Sequence, residues 1–267
     1  MPTLATKPIP GAVAPSGQAL ATYWRKVARK ALPYLSGRPL KLVRHENGEV
    51  FYHENRGPLP SIPDAVHQLT IRKRDGTEGV RVWIDDLPGL LGLVDIDVVE
   101  IHPWGARVDD IERPDVLVFD LHPGPEVDFG FLIETAFKLR HILRQESLTS
   151  WPKTTGLNDL HIYVPIERSF GWDMARAYCK MIAKRLAATA PERYTFSPGV
   201  EARRSRIYIH VLRNGRGATA IGPYSPISHP GFPIARPLKW AELEEGLDPT
   251  AFTMDHPNGL RTDRHQD

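Results

Sequence analysis

Two polar residues at the end of an apolar run are the first place in this chain where chemistry could be done. Val116-Leu117-Val118-Phe119-Asp120-Leu121-His122-Pro123-Gly124 has the apolar density of a buried strand. Residues i and i+2 of a strand project from one face. Asp120 and His122 therefore point together from the strand end, before Pro123-Gly124 turns the chain. A second imidazole, His210, lies in line with Tyr208 in the apolar stretch Arg206-Ile207-Tyr208-Ile209-His210-Val211. One carboxylate and two imidazoles make a donor set suited to zinc, iron or manganese. Hydrogen-bonded rim histidines would show the same spacing, so both readings stand at this point.

Three other groups are suited to phosphates or bases. The stretch Lys153-Thr154-Thr155-Gly156-Leu157-Asn158-Asp159-Leu160-His161 offers an ammonium, hydroxyls and a Gly between strands, which suits a phosphate cradle. It lacks the second Gly and the Gly-Lys-Ser/Thr ending of a Walker loop, and an ordinary hairpin loop would also account for it. Arg203, Arg204 and Arg206 precede the His210 strand, and Arg213-Asn214-Gly215-Arg216-Gly217 follows it. Five guanidinium forks around one strand suit a nucleic-acid backbone or a solvated face. His102-Pro103-Trp104 places an imidazole beside an indole, suited to stacking on a base or sugar, or to simple packing.

Elements must position these residues. Leu20, Tyr23, Trp24, Val27, Ala28 and Ala31 recur at helical spacing and predict a helix over 18–32, with Arg25, Lys26, Arg29 and Lys30 making it basic. Strands are expected at 38–44 and 49–53 around a His45-Glu46-Asn47-Gly48 turn, over parts of 65–86, and at 98–102, 116–121, 149–153, 161–166 and 206–211. Long amphipathic helices are expected over 129–147 and 172–190, and short ones over 87–94 and 240–247. Strands and helices alternate in the second half. The pattern is that of an α+β (or α/β) fold with long helices on one sheet face. Residues 1–17 read as a disordered leader, 18–257 as one domain (a β-rich module to about 103, then the sheet carrying the cleft), and 258–267 as a loose tail.

Bulk properties exclude some classes. The 267 residues carry 34 Lys and Arg against 32 Asp and Glu, a net charge of +2, so no histone-like polycation is present. The single cysteine, Cys179, excludes an internal disulfide and a Cys-based zinc cluster, and fits a reducing compartment. No apolar run reaches the length of a membrane span, so no membrane partner is expected.

In their order the segments resemble one family, the polymerase domain of bacterial ligase D in the archaeo-eukaryotic primase-polymerase superfamily. The pieces are Tyr23-Trp24, Gly37-Arg38-Pro39-Leu40, His102-Pro103-Trp104, Pro114 through Asp120, Lys153-Thr154-Thr155-Gly156, Leu160 through Pro165, Leu212 through Thr219, Pro223-Tyr224-Ser225 and Pro237-Leu238-Lys239-Trp240. The resemblance implies a primase-polymerase fold: a central mixed or antiparallel sheet flanked by helices, with an N-terminal β-rich module. It implies nucleotide addition at DNA ends during non-homologous end joining. It implies two manganese or magnesium ions held by three aspartates. Nucleotide contacts fall on His102, Lys153, Thr154, Thr155, His161 and Arg203, and DNA contacts on Arg25, Lys26, Arg213 and Arg216. DNA ends, a nucleotide, and a DNA ligase or Ku-like protein are the implied partners, in a bacterial cytoplasm and at the nucleoid if DNA is bound.

The chain departs from that pattern where the metals would bind. His122 and His210 stand where the family has its second and third aspartates, and only Asp120 remains. Ile227 follows Tyr224-Ser225-Pro226 where the family has arginine, and Glu54 replaces a basic residue. The expectation is lost or severely reduced nucleotidyl transfer. The alternative is one zinc or manganese at Asp120, His122 and His210, serving an altered nucleotidyltransferase or a hydrolase.

Overall fold

Asn47-Gly48 sets the first hairpin. Both residues have positive φ (53° and 83°), the geometry of a two-residue turn whose twist matches its strands. The flanking strands are β1 (Leu40–Glu46) and β2 (Glu49–His53). The structure, a computed structural model, describes residues 8–53, 61–73, 75–244 and 247–258. β3 (His67–Arg72), β4 (Glu78–Trp83) and β5 (Val98–Pro103) complete a first sheet, ordered β2-β1-β4-β3 with β5 also paired to β1. The expected helix at 87–94 is α2 (Leu87–Asp95), capped by the Asp86 carboxylate on the Gly89 N–H.

A second five-stranded sheet carries the opening motif. Its order is β7 (Trp151–Thr154), β8 (Leu160–Pro165), β6 (Val116–Pro123), β10 (Ile207–His210) and β9 (Tyr194–Thr195). All pairings are antiparallel except β9 with β10, so the sheet is mixed. Alternation sorts its faces. Leu117, Phe119, Leu121, Leu160, Ile162, Ile207 and Ile209 are fully buried in the core shared with α3 (Phe129–Gln145) and α4 (Trp172–Ala188). Asp120, His122, Lys153, His161, Tyr208 and His210 occupy the other parity, facing the first sheet. The two long helices thus cover one face, as expected. The expected 129–147 helix stops at Gln145, and Ser147 takes a positive φ of 60° just beyond.

Pro33 does not end the first helix: α1 runs Gly17–Leu35. A proline in the last turn removes only its own N–H bond, and Leu35 beyond it is completely buried. Residues 8–16, expected within a disordered leader, instead lie against the body. The Ile9 N–H donates to Val50 O (2.8 Å), the Val13 N–H to Ser228 O (3.3 Å), and Ser16 caps α1. Residues 1–7, and the tail from 259, lie outside the described residues.

One polar contact ties the sheets to each other, and a second completes the β6 edge within its own sheet. Arg38, just before β1, makes a bidentate pair with Asp115, just before β6 (2.6 and 2.7 Å). Asn214 acts where β10 has already left the sheet. Its Oδ1 accepts from the Val118 N–H (2.8 Å), while its Nδ2 donates to Val118 O (2.8 Å) and Val211 O (2.9 Å). The amide side chain thus continues the ladder for β6. Gly124 has a packing reason rather than a turn reason: a Cβ there would lie 1.6 Å from Arg203 O.

Asn214→Ala strands both buried backbone groups of Val118, while Val211 O keeps the Asn214 backbone N–H at 3.2 Å. At about 1–3 kcal/mol for a buried group left unpaired, partly relieved by water, we expect a loss of about 2–4 kcal/mol. A urea midpoint unchanged by the substitution would refute this role for the side chain.

Candidate active site

Register places the site residues in one row across four strands. Asp120 on β6 pairs with His161 on β8 and with His210 on β10, and His161 pairs with Lys153 on β7. His122, two residues along β6, pairs with Tyr208 on β10. Continuing the β6–β8 register by one step sets Asp159 opposite His122, and the two side chains meet at 2.9 Å.

Asp120 is completely buried and both of its oxygens face nitrogen. Oδ1 lies 3.0 Å from His122 Nε2 and 3.3 Å from His161 Nε2. Oδ2 accepts from Arg213 Nε at 3.0 Å and lies 3.5 Å from His210 Nδ1. Burial opposes its ionisation, but His161, His122 and His210 outweigh that and hold the carboxyl well below its ordinary range. The His122 ring sits between two acids. Burial alone would lower its pKa, yet Asp120 and Asp159 push it up to about 9. Beneath them, burial pulls Lys153 down to about 7, with Asp120 only partly offsetting it. Burial, then the neighbouring Lys153, takes His161 down to about 4, so this ring is neutral at pH 7.

A cleft of about 550 Å³ opens above this row, between the two sheets. His102, His122, Thr155, His161 and Arg213, all singled out from sequence, line it. His102 comes from the first sheet, its Nε2 2.8 Å from Glu100 Oε2. The other candidates lie elsewhere. Lys153 and Thr154 are buried below the floor; the Lys153 ammonium donates to Thr154 O, and the Thr154 hydroxyl serves the Arg236 backbone. Arg203 packs its backbone carbonyl against Gly124, just past His122, and its buried Nε, without a hydrogen-bond partner, is not part of the cleft lining. Arg216 pairs bidentately with Glu112. Arg25 and Lys26 are exposed on α1, where Lys26 reaches Asp255 O. Ile227, at the family's arginine position, is part of the cleft wall. Glu54 lies outside the described residues.

Sequence reasoning missed the role of Asp159, and also the cleft positions of Lys41 and Glu100. Asp159 follows the loop glycine by three residues and would have been found had the β6–β8 register been known.

The donor set decides which metals are suited. Two hard divalent ions need several carboxylate oxygens, and magnesium binds imidazole poorly. Here one acid remains, and a metal on it would displace Arg213 or an imidazole. Oδ1 forms no aligned hydrogen bond with either ring near it, so crowding by nitrogen rather than a vacant ligand sphere surrounds it. The residues present do not fit a pair of hard ions. For one softer ion, Asp120, His122 and His210 offer ligand atoms all within 4.8 Å of one another. That ion would have to displace the His122 proton, a penalty of roughly a hundredfold at pH 7 for a pKa near 9.

Comparison with known proteins follows from this geometry. The family model of the LigD primase-polymerase domain matches residues 17–267. The chain belongs to this family. It is 32% identical over 228 residues to the multifunctional non-homologous end joining protein LigD of Pseudomonas aeruginosa, covering 84% of this chain and 27% of that protein. It is 27% identical over 237 residues to the bifunctional non-homologous end joining protein LigD of Bacillus subtilis, covering 87% of this chain and 38% of that one. The polymerase domain of Mycobacterium tuberculosis ligase D, solved in complex with DNA, superposes with a TM-score of 0.82 at 26% identity, over 95% of this chain and 92% of that domain. This chain thus corresponds to one part of its longer LigD relatives. Among the described residues, no helix is long and apolar enough to cross a membrane.

The His122 proton gives a direct test. A pKa raised on folding contributes stability in full below about pH 6.5, lost as pH rises through about 9. Lys153 acts in the opposite sense from about 7 upward, so the bare slope of stability against pH does not isolate His122. NMR titration of the ring does: we expect a midpoint near 9, moved toward 6.5 in Asp159→Asn. A midpoint near 6.5 in the unaltered chain would remove the two-acid account.

Proposed function

We propose that this chain binds nucleotides or DNA ends as an accessory of non-homologous end joining, with nucleotidyl transfer lost or severely reduced. The observation that carries this reading is the state of Asp120: the one remaining acid is already paired with Arg213 and surrounded by imidazoles. Nucleotidyl transfer by two metals needs an anionic cradle that holds both ions, activates a 3′-hydroxyl and neutralises pyrophosphate. Asp120 gives Oδ2 to Arg213, and its Oδ1 alone, enclosed by the His122 and His161 rings, does not make such a cradle. The end-joining context is supported by the names of the LigD relatives, and DNA binding by the DNA complex of the mycobacterial domain. The cleft is retained, with Arg213 and His102 on opposite walls. A DNA ligase or Ku-like protein would supply the sealing and end-holding steps.

Primer extension on a recessed DNA end, in manganese and in magnesium, tests the catalytic half. We expect no extension above background; extension at rates typical of polymerases, about 1 per second or faster, would overturn it. Salt-dependent binding to 5′-phosphorylated duplex ends tests the other half. About three phosphate contacts would give a slope of log affinity on log salt near −3. A flat salt dependence would argue against a phosphate-reading cleft.

One observation favours a second reading, a single-metal hydrolase: the 4.8 Å clustering of Asp120, His122 and His210 ligand atoms. Metal analysis of the purified chain separates the two. One zinc or manganese per chain, lost in His210→Ala, supports the hydrolase; a metal-free chain supports the binding module.

A further inference from the structure

The charge arrangement of the cleft bears on how a phosphate enters it. By resemblance, a LigD polymerase domain sets three carboxylates at this place, and a polyphosphate can approach them only with divalent cations between. In this chain each acid around the cleft already has a partner. Asp120 has Arg213 at 3.0 Å. Asp159 has His122 at 2.9 Å. Glu100 has His102 at 2.8 Å and accepts from the Ser228 N–H at 2.8 Å. Each of these carboxylates thus has a guanidinium or imidazole beside it, and the one acceptor without a hydrogen bond, Asp120 Oδ1, is enclosed by the His122 and His161 rings. The repulsion that makes a cation necessary has been removed from within the chain.

Groups that can meet a phosphate ester remain on the same walls. Arg213 uses Nε on Asp120 and Nη1 on Thr219 O, and its Nη2 has no hydrogen bond among the described residues. Its side chain is about one-third exposed to the cleft. Lys41 brings an ammonium from the first sheet, and His229 an imidazole from the loop beyond Ile227. His161, also on the cleft wall and almost wholly buried, has an Nδ1 without a hydrogen-bond partner. A ligand hydroxyl or a bound water is what such an atom lacks.

We infer that this cleft binds the phosphate groups of its ligand without a divalent cation, with the Arg213 guanidinium, already paired to Asp120, meeting them directly. The inference rests on the binding function proposed above and adds to it the absence of a metal requirement. The shared ligand chemistry is a phosphate ester or polyphosphate, available from a free nucleoside triphosphate or from a 5′-phosphorylated DNA end.

Equilibrium binding to the full chain tests this, with ATP, a 5′-phosphorylated duplex and its 5′-hydroxyl counterpart as probes. Each is measured in EDTA and in manganese. We expect at least one phosphorylated probe to bind equally well in both, and the 5′-hydroxyl duplex to bind more weakly if the DNA end is the source. Arg213→Gln should weaken that binding about tenfold or more, as loss of a charge-assisted contact does. His122→Asp restores an acid beside Asp120 and should make binding depend on manganese. Binding in manganese that EDTA abolishes in the unaltered chain would overturn the inference and leave the binding function standing. No binding of any probe in either condition would overturn both. Because the comparison of EDTA with manganese uses the unaltered chain, failure of either variant to fold does not spare the inference.

Discussion

The rest of the site depends on one buried charge. Asp120 has no exposure to water and sits in the middle strand of a five-stranded sheet. An ionised carboxylate in that position is costly unless it is paired on the spot. The sheet supplies partners from both adjacent strands, and Arg213 reaches in from the turn after β10. The turn holds its place because Asn214 extends the β6 ladder with its side chain. Fold and site are therefore one problem. The same short segment, residues 210–214, neutralises the acid and completes the hydrogen bonding of the strand that carries it.

The sheet's alternation explains why such an arrangement is stable at all. One parity of β6, β8 and β10 is entirely apolar and packs under α3 and α4. The other parity collects nearly every charged group of the sheet on the cleft side. Burial there pulls Lys153 and His161 toward neutrality, with Asp120 offsetting it only in part. It leaves His122, held by two acids, as the proton carrier. Charge is thus retained where two acids flank one ring and given up where burial outweighs a single shared carboxylate.

Much of this was legible in the sequence. The apolar parity of Val116–Leu121, the Asn47-Gly48 turn and the two long amphipathic helices needed only periodicity and turn chemistry. Asp120, His122 and His210 stood out as an acid and two imidazoles in apolar strands, a pattern that hydrogen-bonded rim histidines would also give, and the ordered family segments set them together. What was not legible depended on pairing between distant strands. Lys153 reads as a phosphate-gripping ammonium in sequence, but its strand turns it under the floor. Arg203 and Arg216 lie on the flanks of the right strand, yet neither lines the cleft, and Arg216 is held by the acid Glu112. Residues 8–16 have a disordered composition, but two backbone hydrogen bonds and a helix cap give them a place. Composition reports how little apolar area a segment can bury, not whether a neighbouring strand and loop offer it partners.

Asp159 shows how the substitutions fit together. A histidine replacing an acid beside Asp120 would alone leave one ring nitrogen without a counter-charge. An acid placed one register step beyond β8 supplies it. The two changes make sense as a pair: His122 without Asp159 would lose much of its hold on the proton, and Asp159 without His122 would put a second uncompensated carboxylate at the cleft mouth. Arg213 completes the set by pairing with Asp120. The site therefore reads less as a metal centre with parts missing than as a charge arrangement that closes on itself.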